Sequence, residues 1–192
     1  EGFRVIGTIL PNDPVQLNFP FESFEAREID LTDREATQLF IEGVISKEGQ
    51  IDTVVLTVGG FAIGNIANTS ITDILTQYQL NFETAYNIAK PAFLQMLQQN
   101  NGRIFFIGSR AGISAANSRG MVAYGLGKSL LFRLAEMMNE ESRGRNVVSA
   151  VVVPSIIDTP QNRKNNKDEN FNDWVKPEDI ANIIYYHTTD DA

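Results

Sequence analysis

GRIFFIGSRAGISAANSRGMVAYGLGK, residues 102–128, is the stretch on which the fold turns. Arg103–Gly108 carries the apolar run Ile104-Phe105-Phe106-Ile107 directly after Gly102, and it reads as a buried strand ending in Ser109. A loop of small residues follows, then a helix carrying Tyr124 and Lys128. Residues four apart share a helix face, so the phenol and the ammonium project together. A hydroxyl at a strand end beside a Tyr/Lys pair is a device for moving protons. The same spacing recurs at Tyr86 and Lys90, so context has to choose between the two pairs.

Downstream, the Tyr124 helix continues through Leu126, Leu130, Leu134 and Met138 to a stop near Gly144. Val147–Val153 is another buried strand, halted by Pro154. A polar segment, Gln161–Asn172, comes next. Pro177 with Glu178 and Asp179 opens a last helix, proline in its first turn and acids at the positive end of its dipole. Upstream, Phe3–Leu10 is apolar and β-branched and suits a strand, followed by a loop holding Pro11, Pro14 and Pro20. Phe24–Ile29 is a short strand ending at Asp30. Thr32-Asp33-Arg34-Glu35 is a capping-box pattern opening a helix with Ala36, Leu39, Phe40 and Val44 on one side, stopped near Gly49. Ile51–Val58 is apolar on both faces, the mark of a parallel strand covered by helices, and it ends in Gly59-Gly60. Thr72 can cap the following helix, which repeats Phe82, Ala85 or Tyr86, Ala89, Phe93 and Met96 or Leu97 at helical spacing; Pro91 should kink or split it.

Strand and helix alternate throughout. That order predicts one α/β domain over residues 1–192, a three-layer, doubly wound, Rossmann-like parallel sheet. Ligands in such sheets bind beyond the carboxyl ends of the strands, which here are Asp30, Thr57–Gly60, Ser109 and Pro154–Thr159. Tyr124 starts the helix after Ser109, whereas Tyr86 and Lys90 fall in mid-helix. The first pair is the functional candidate.

Composition removes other classes. A net charge of −8 argues against a nucleic-acid surface, which needs basic residues to neutralise phosphates. The chain has no cysteine and one histidine, His187, so disulfides, thiolate chemistry, a Ser-His triad and a two-histidine metal site are excluded, and no metal site is expected. No apolar run approaches the ~20 residues of a membrane span, and a cytoplasmic protein is expected.

These residues resemble the short-chain dehydrogenase/reductase family over nearly the whole chain. Ser109 matches the family's strand-end serine, Tyr124 and Lys128 its Tyr-x-x-x-Lys, and Asn81 its helix asparagine. Asp30 matches the aspartate by the adenine, and Pro154-Ser155-Ile156-Ile157-Asp158-Thr159 matches its Pro-Gly-x-x-x-Thr. A narrower similarity is to quinonoid dihydropteridine reductases and their bacterial relatives. It rests on Val58-Gly59-Gly60-Phe61-Ala62, Gly64-Asn65, Gly120-Met121, Asp158-Thr159-Pro160, Asn162-Arg163-Lys164, and later Phe171 and Trp174. The resemblance implies NAD- or NADP-dependent hydride transfer to a carbonyl or pterin-like imine, with Tyr124 as general acid/base. A lysine ammonium nearby would favour its phenolate. Ser109 would hydrogen-bond the substrate oxygen, and Asn81 would anchor a water relaying protons to Lys128. Asp30, Leu31, Val58, Gly59, Gly60, Pro154, Ser155, Ile157 and Thr159 would contact the cofactor, together with Tyr124 and Lys128. A homodimer or homotetramer through the helices at Asn81–Gln98 and Tyr124–Asn139 is also implied.

The chain departs from the family pattern at several points. Leu56-Thr57-Val58-Gly59 stands where the family has Asn-Asn-Ala-Gly, and Ser155 replaces a glycine. The Ser109–Tyr124 loop is longer than usual. No glycine-rich first strand-turn-helix precedes Glu1, and a final strand is expected after Asp190-Asp191-Ala192, so the chain is read as lacking both family ends. These departures favour a competing expectation, a non-catalytic binding or scaffold protein on the same fold, which would leave NAD(P)H fluorescence unchanged.

Overall fold

The computed structural model describes residues 2–13 and 23–188. The prolines at 14 and 20 and the tail from 189 to 192 lie outside the described residues. In chain order the elements are β1 (Val5–Ile9), β2 (Phe24–Glu28), α1 (Arg34–Glu48), β3 (Thr53–Leu56), α2 (Ile71–Tyr78), a π-helical turn (Gln79–Glu83) and α3 (Thr84–Gln99). Then come β4 (Asn101–Ile107), α4 (Arg110–Ile113), α5 (Val122–Glu141), β5 (Asn146–Val152), α6 (Pro160–Asn165), a 3-10 turn (Phe171–Asp173) and α7 (Pro177–Tyr186).

All strand pairs are parallel, and helices flank them, as the alternation of strands and helices predicts. The pairs fall into two groups, β1–β2 and β3–β4–β5. A cavity of about 860 Å³ lies between the groups, lined by Ile6 and Thr8 of β1, Val54 and Leu56 of β3, and Ile41 and Ile88 from the helices. The middle strand β4 is the most enclosed, with Ile104 and Phe106 fully buried. It packs against α3, where Ala89, Phe93 and Met96 are buried. Gly102 opens this contact: a Cβ there would lie 2.2 Å from Met96 Cγ, so only glycine lets the methionine cross the strand.

Several local expectations shift. Asp33, not Thr32, caps α1, its Oδ1 accepting the Ala36 N–H at 3.0 Å. The capping box belongs to Ser70 and Asp73 on α2 rather than to Thr32, and Ser70 displaces Thr72 as the cap. Helix α1 buries Thr37 and Ile41 and half-buries the expected Ala36, Phe40 and Val44, while Leu39 departs from that face at 62% exposed. On α5 the inner face runs through Leu131, Ala135 and Met138, and Leu126 points outward. Pro91 leaves α3 continuous; the break falls earlier, at the π-turn around Asn81. The polar segment after Thr159 holds α6 and the 3-10 turn.

Candidate active site

Strand β4 delivers Ser109 to its carboxyl end. Ser109 is extended there (φ −158°) and caps α4, its Oγ accepting the Ala111 N–H at 3.2 Å. The hydroxyl hydrogen is left to donate elsewhere. The long loop to Tyr124 is organised by Ser118, whose hydroxyl donates to the Ala111 carbonyl and contacts that of Ser114. A parallel bridge between Gly64 and Met121 then ties the loop after β3 to the start of α5. That tie brings Phe61 edge-on to the Tyr124 ring, centroids 5.1 Å apart.

Helix α5 carries Tyr124 and Lys128 on either side of two glycines, Gly125 and Gly127, that serve close packing. A Cβ at Gly125 would lie 2.6 Å from Ser118 Oγ, and one at Gly127 would lie 2.9 Å from the Gln77 carbonyl oxygen. The α4 loop and α2 therefore press on α5 from either side. Lys128 is 6% exposed, and its Nζ donates to the Ile107 carbonyl of β4 at 2.8 Å. No carboxylate pairs with it among the described residues. Burial holds its ammonium well below the ordinary lysine range, at about 8. Lys90, by contrast, is exposed and Tyr86 stacks on Phe82, which removes the second Tyr/Lys pair from consideration.

Asn81 sits fully buried in the π-turn, a helical irregularity common at functional sites. Its Oδ1 accepts the Gly60 N–H at 3.2 Å. Its Nδ2 donates to the Gln77 carbonyl at 3.1 Å and to Gln77 Oε1 at 3.0 Å. A Cβ at Gly59 would lie 2.7 Å from Asn81 Oδ1 and 3.2 Å from Lys128 Nζ. The backbone after β3 thus passes directly beneath both groups, and glycine keeps that space open. Gln77 was not singled out from the sequence, although it stands four residues before Asn81 on the same helix face.

The remaining candidates line the carboxyl ends of other strands. Asp30 Oδ1 accepts from the Thr32 N–H (2.9 Å) and hydroxyl (2.7 Å), and these bonds hold its carboxyl below the usual range. Leu31 is buried, and its carbonyl accepts from Asn87 Nδ2 at 2.9 Å. Val58 is exposed beside Gly59 and Gly60. Beyond β5, Pro154 and Ser155 lead to Ile157, which bridges to Val175. Thr159 caps α6 by accepting the Asn162 N–H at 3.1 Å. Arg163 pairs with Asp158 through two bonds and lies 4.9 Å over the Phe171 ring, which packs on buried Trp174. The structure therefore gathers Asn81, Lys128, Gly59 and Gly60 into one cluster, with Ser109 at the end of β4 and Tyr124 one turn before Lys128. It sets Asp30 and Leu31 just past the end of β2, with Leu31 lining the cavity between the strand groups.

Comparison with known proteins identifies the family. The chain is 29% identical over 154 residues to a dihydropteridine reductase of Dictyostelium discoideum, covering 78% of this chain and 64% of that protein. It is 25% identical over 166 residues to an acetoacetyl-CoA reductase of an Acinetobacter strain, covering 83% of this chain and 66% of that protein. The chain thus spans just under two thirds of these relatives. The NADP-bound structure of ElxO superposes with a TM-score of 0.80 at 23% identity, over 88% of this chain and 73% of the other. The short chain dehydrogenase family profile matches residues 16–170, most of the sequence. The chain belongs to the short chain dehydrogenase family.

Proposed function

We propose that the protein is an NAD(P)-dependent oxidoreductase reducing the carbonyl or pterin-like imine carbon of a small molecule. The observation that carries this reading is Lys128: a buried ammonium without a carboxylate partner among the described residues, one helical turn from Tyr124. An unpaired buried charge is costly, and proton transfer gives it a purpose. Gly59 is exposed beyond the end of β3, and its lack of a Cβ brings Lys128 Nζ close to the backbone, an arrangement that suits a dinucleotide lying against that strand end. Lys128 would hold the ribose with the two ammonium hydrogens not given to Ile107.

When bound, the dinucleotide supplies the hydride. Tyr124 donates its proton to the substrate heteroatom, and the Lys128 charge stabilises the phenolate left behind. Ser109, its oxygen already accepting from Ala111, donates its hydrogen to the same heteroatom. Asn81 Oδ1, held over Gly59 beside Lys128, orients a water through which the lysine exchanges protons with solvent. Asp30 and Leu31 would face the adenine; Val58, Gly59 and Gly60 the ribose; and Pro154, Ser155, Ile157 and Thr159 the nicotinamide. NADP and NAD both remain candidates. The relative from Dictyostelium supports a quinonoid dihydropterin as substrate, and the Acinetobacter relative supports a 3-oxoacyl thioester. Exposed apolar residues on α3 and α5, among them Tyr86, Leu94, Leu126 and Leu130, support a homodimer or homotetramer. A cytoplasmic location accompanies this reading; no helix among the described residues is long and apolar enough to cross a membrane.

The test is fluorescence titration of the full-length protein with NADPH and NADH, followed by turnover of a dihydropterin and acetoacetyl-CoA panel. Binding with turnover supports the enzyme. Binding without turnover favours the scaffold, and absence of binding refutes a dinucleotide site.

A further inference from the structure

We infer that Gln77 is a positioning residue that fixes the orientation of the Asn81 amide and so directs its oxygen toward Gly59 and Lys128. An asparagine amide has two donors and one acceptor oxygen, and a half-turn about its last bond exchanges them. At Asn81 the surroundings leave one choice. Both hydrogens of Nδ2 are met by acceptors that belong to Gln77, the main-chain carbonyl at 3.1 Å and Oε1 at 3.0 Å. Oδ1 is met by the Gly60 N–H at 3.2 Å. Rotating the amide would set its oxygen against two carbonyl oxygens and its N–H groups against an N–H, three unfavourable pairs in a fully buried place.

The backbone carbonyl of Gln77 would remain with any side chain, so the selective part is Oε1. Gln77 is itself immobilised, 5% exposed in the last turn of α2. Its side chain abuts Gly60, where a Cβ would lie 3.5 Å from its Nε2, and its carbonyl abuts Gly127. One residue therefore touches all three parts of the site: the loop after β3, the π-turn and the lysine helix. The consequence falls beside Gly59, where the missing Cβ lets Asn81 Oδ1 and Lys128 Nζ both close on the backbone: a Cβ there would lie 2.7 and 3.2 Å from them. Two polar atoms that share one neighbour at these distances are within reach of a single bridging water. With the amide reversed, an N–H would face the ammonium and the relay would lose its acceptor.

This inference rests on the oxidoreductase reading, and the experiment separates the two. Gln77→Met keeps length and helix preference but loses the acceptor; Gln77→Glu keeps an acceptor oxygen whether ionised or protonated. In the full-length protein Gln77→Met should lower kcat by about tenfold, equivalent to about 1.4 kcal/mol of barrier, with the NAD(P)H Kd within about twofold of the parent. Gln77→Glu should recover most of that loss. Without any ligand, NMR of the Asn81 side-chain amide should show one of its two protons shifted upfield in the methionine variant and neither in the glutamate variant. Unchanged amide resonances in Gln77→Met, or equal kcat losses in both variants, would overturn the positioning role. Tyr124→Phe measured alongside decides the parent reading: retained turnover, or none in the wild type, would sink that reading and this inference with it.

Discussion

Replacing Lys128 by methionine should make the protein more stable while removing its activity. Methionine keeps the length of the lysine stem and removes the buried ammonium. Burial lowers the lysine from an ordinary 10.5 to about 8, a difference of about 3 kcal/mol against the folded state at neutral pH. Losing the bond to the Ile107 carbonyl gives back about 1 kcal/mol, so the variant should gain about 2 kcal/mol near pH 6.5. The sign with pH follows from proton binding. Between pH 8 and 10.5 the unfolded lysine keeps its proton and the folded one has lost it, so the parent becomes more stable as pH rises. The advantage of Lys128→Met should therefore shrink by about 2 kcal/mol between pH ~6.5 and ~9.5. Urea unfolding followed by circular dichroism at several pH values measures it directly. A difference that stays flat with pH, or a variant less stable than the parent at pH 6.5, would mean that Lys128 is solvated and that the argument from its burial fails.

Gly102→Ala should destabilise the protein by about 1–3 kcal/mol, because its methyl would fall 2.2 Å from Met96 in the core; thermal unfolding checks this. Gly59→Ala should lower kcat by about tenfold, since its methyl would crowd Asn81 Oδ1 and Lys128 Nζ; steady-state kinetics alongside a thermal-unfolding measurement reads it. For the proposed homo-oligomer, Leu126→Glu together with Leu130→Glu should give a monomer in sedimentation experiments, and an unchanged mass would exclude that face of α5 as the contact.

Much of this site was legible because its residues carry their chemistry at fixed spacing. The apolar run before Ser109 and the four-residue step from Tyr124 to Lys128 identify strand, turn and helix on their own, and strand-end position sets this pair apart from Tyr86 and Lys90. Burial then completes the distinction, since Lys128 is enclosed and Lys90 is exposed. The glycines at 125 and 127 acquire their meaning from the structure, where Ser118 and Gln77 approach them closely. What stayed hidden depended on packing. Thr32 and Asp33 are both good caps, and only backbone geometry assigns the role to Asp33. The outward turn of Leu39 reflects which side α3 covers, which local pattern does not record. The π-turn at Asn81 has no compositional signature, and attention to Pro91 placed the irregularity too late. Gln77 matters only through its contacts, so its identity as a residue announced nothing.

The central claim is that Tyr124, supported by Lys128, Ser109 and Asn81, supplies the proton for a hydride transfer. The most direct measurement is deuterium transfer from C4-deuterated NAD(P)H to substrate carbon, followed by mass spectrometry, for the full-length protein and Tyr124→Phe. The account predicts label in the product of the parent and, for the phenylalanine variant, intact cofactor binding with label transfer reduced by at least ~100-fold. Equal label in both products would contradict it.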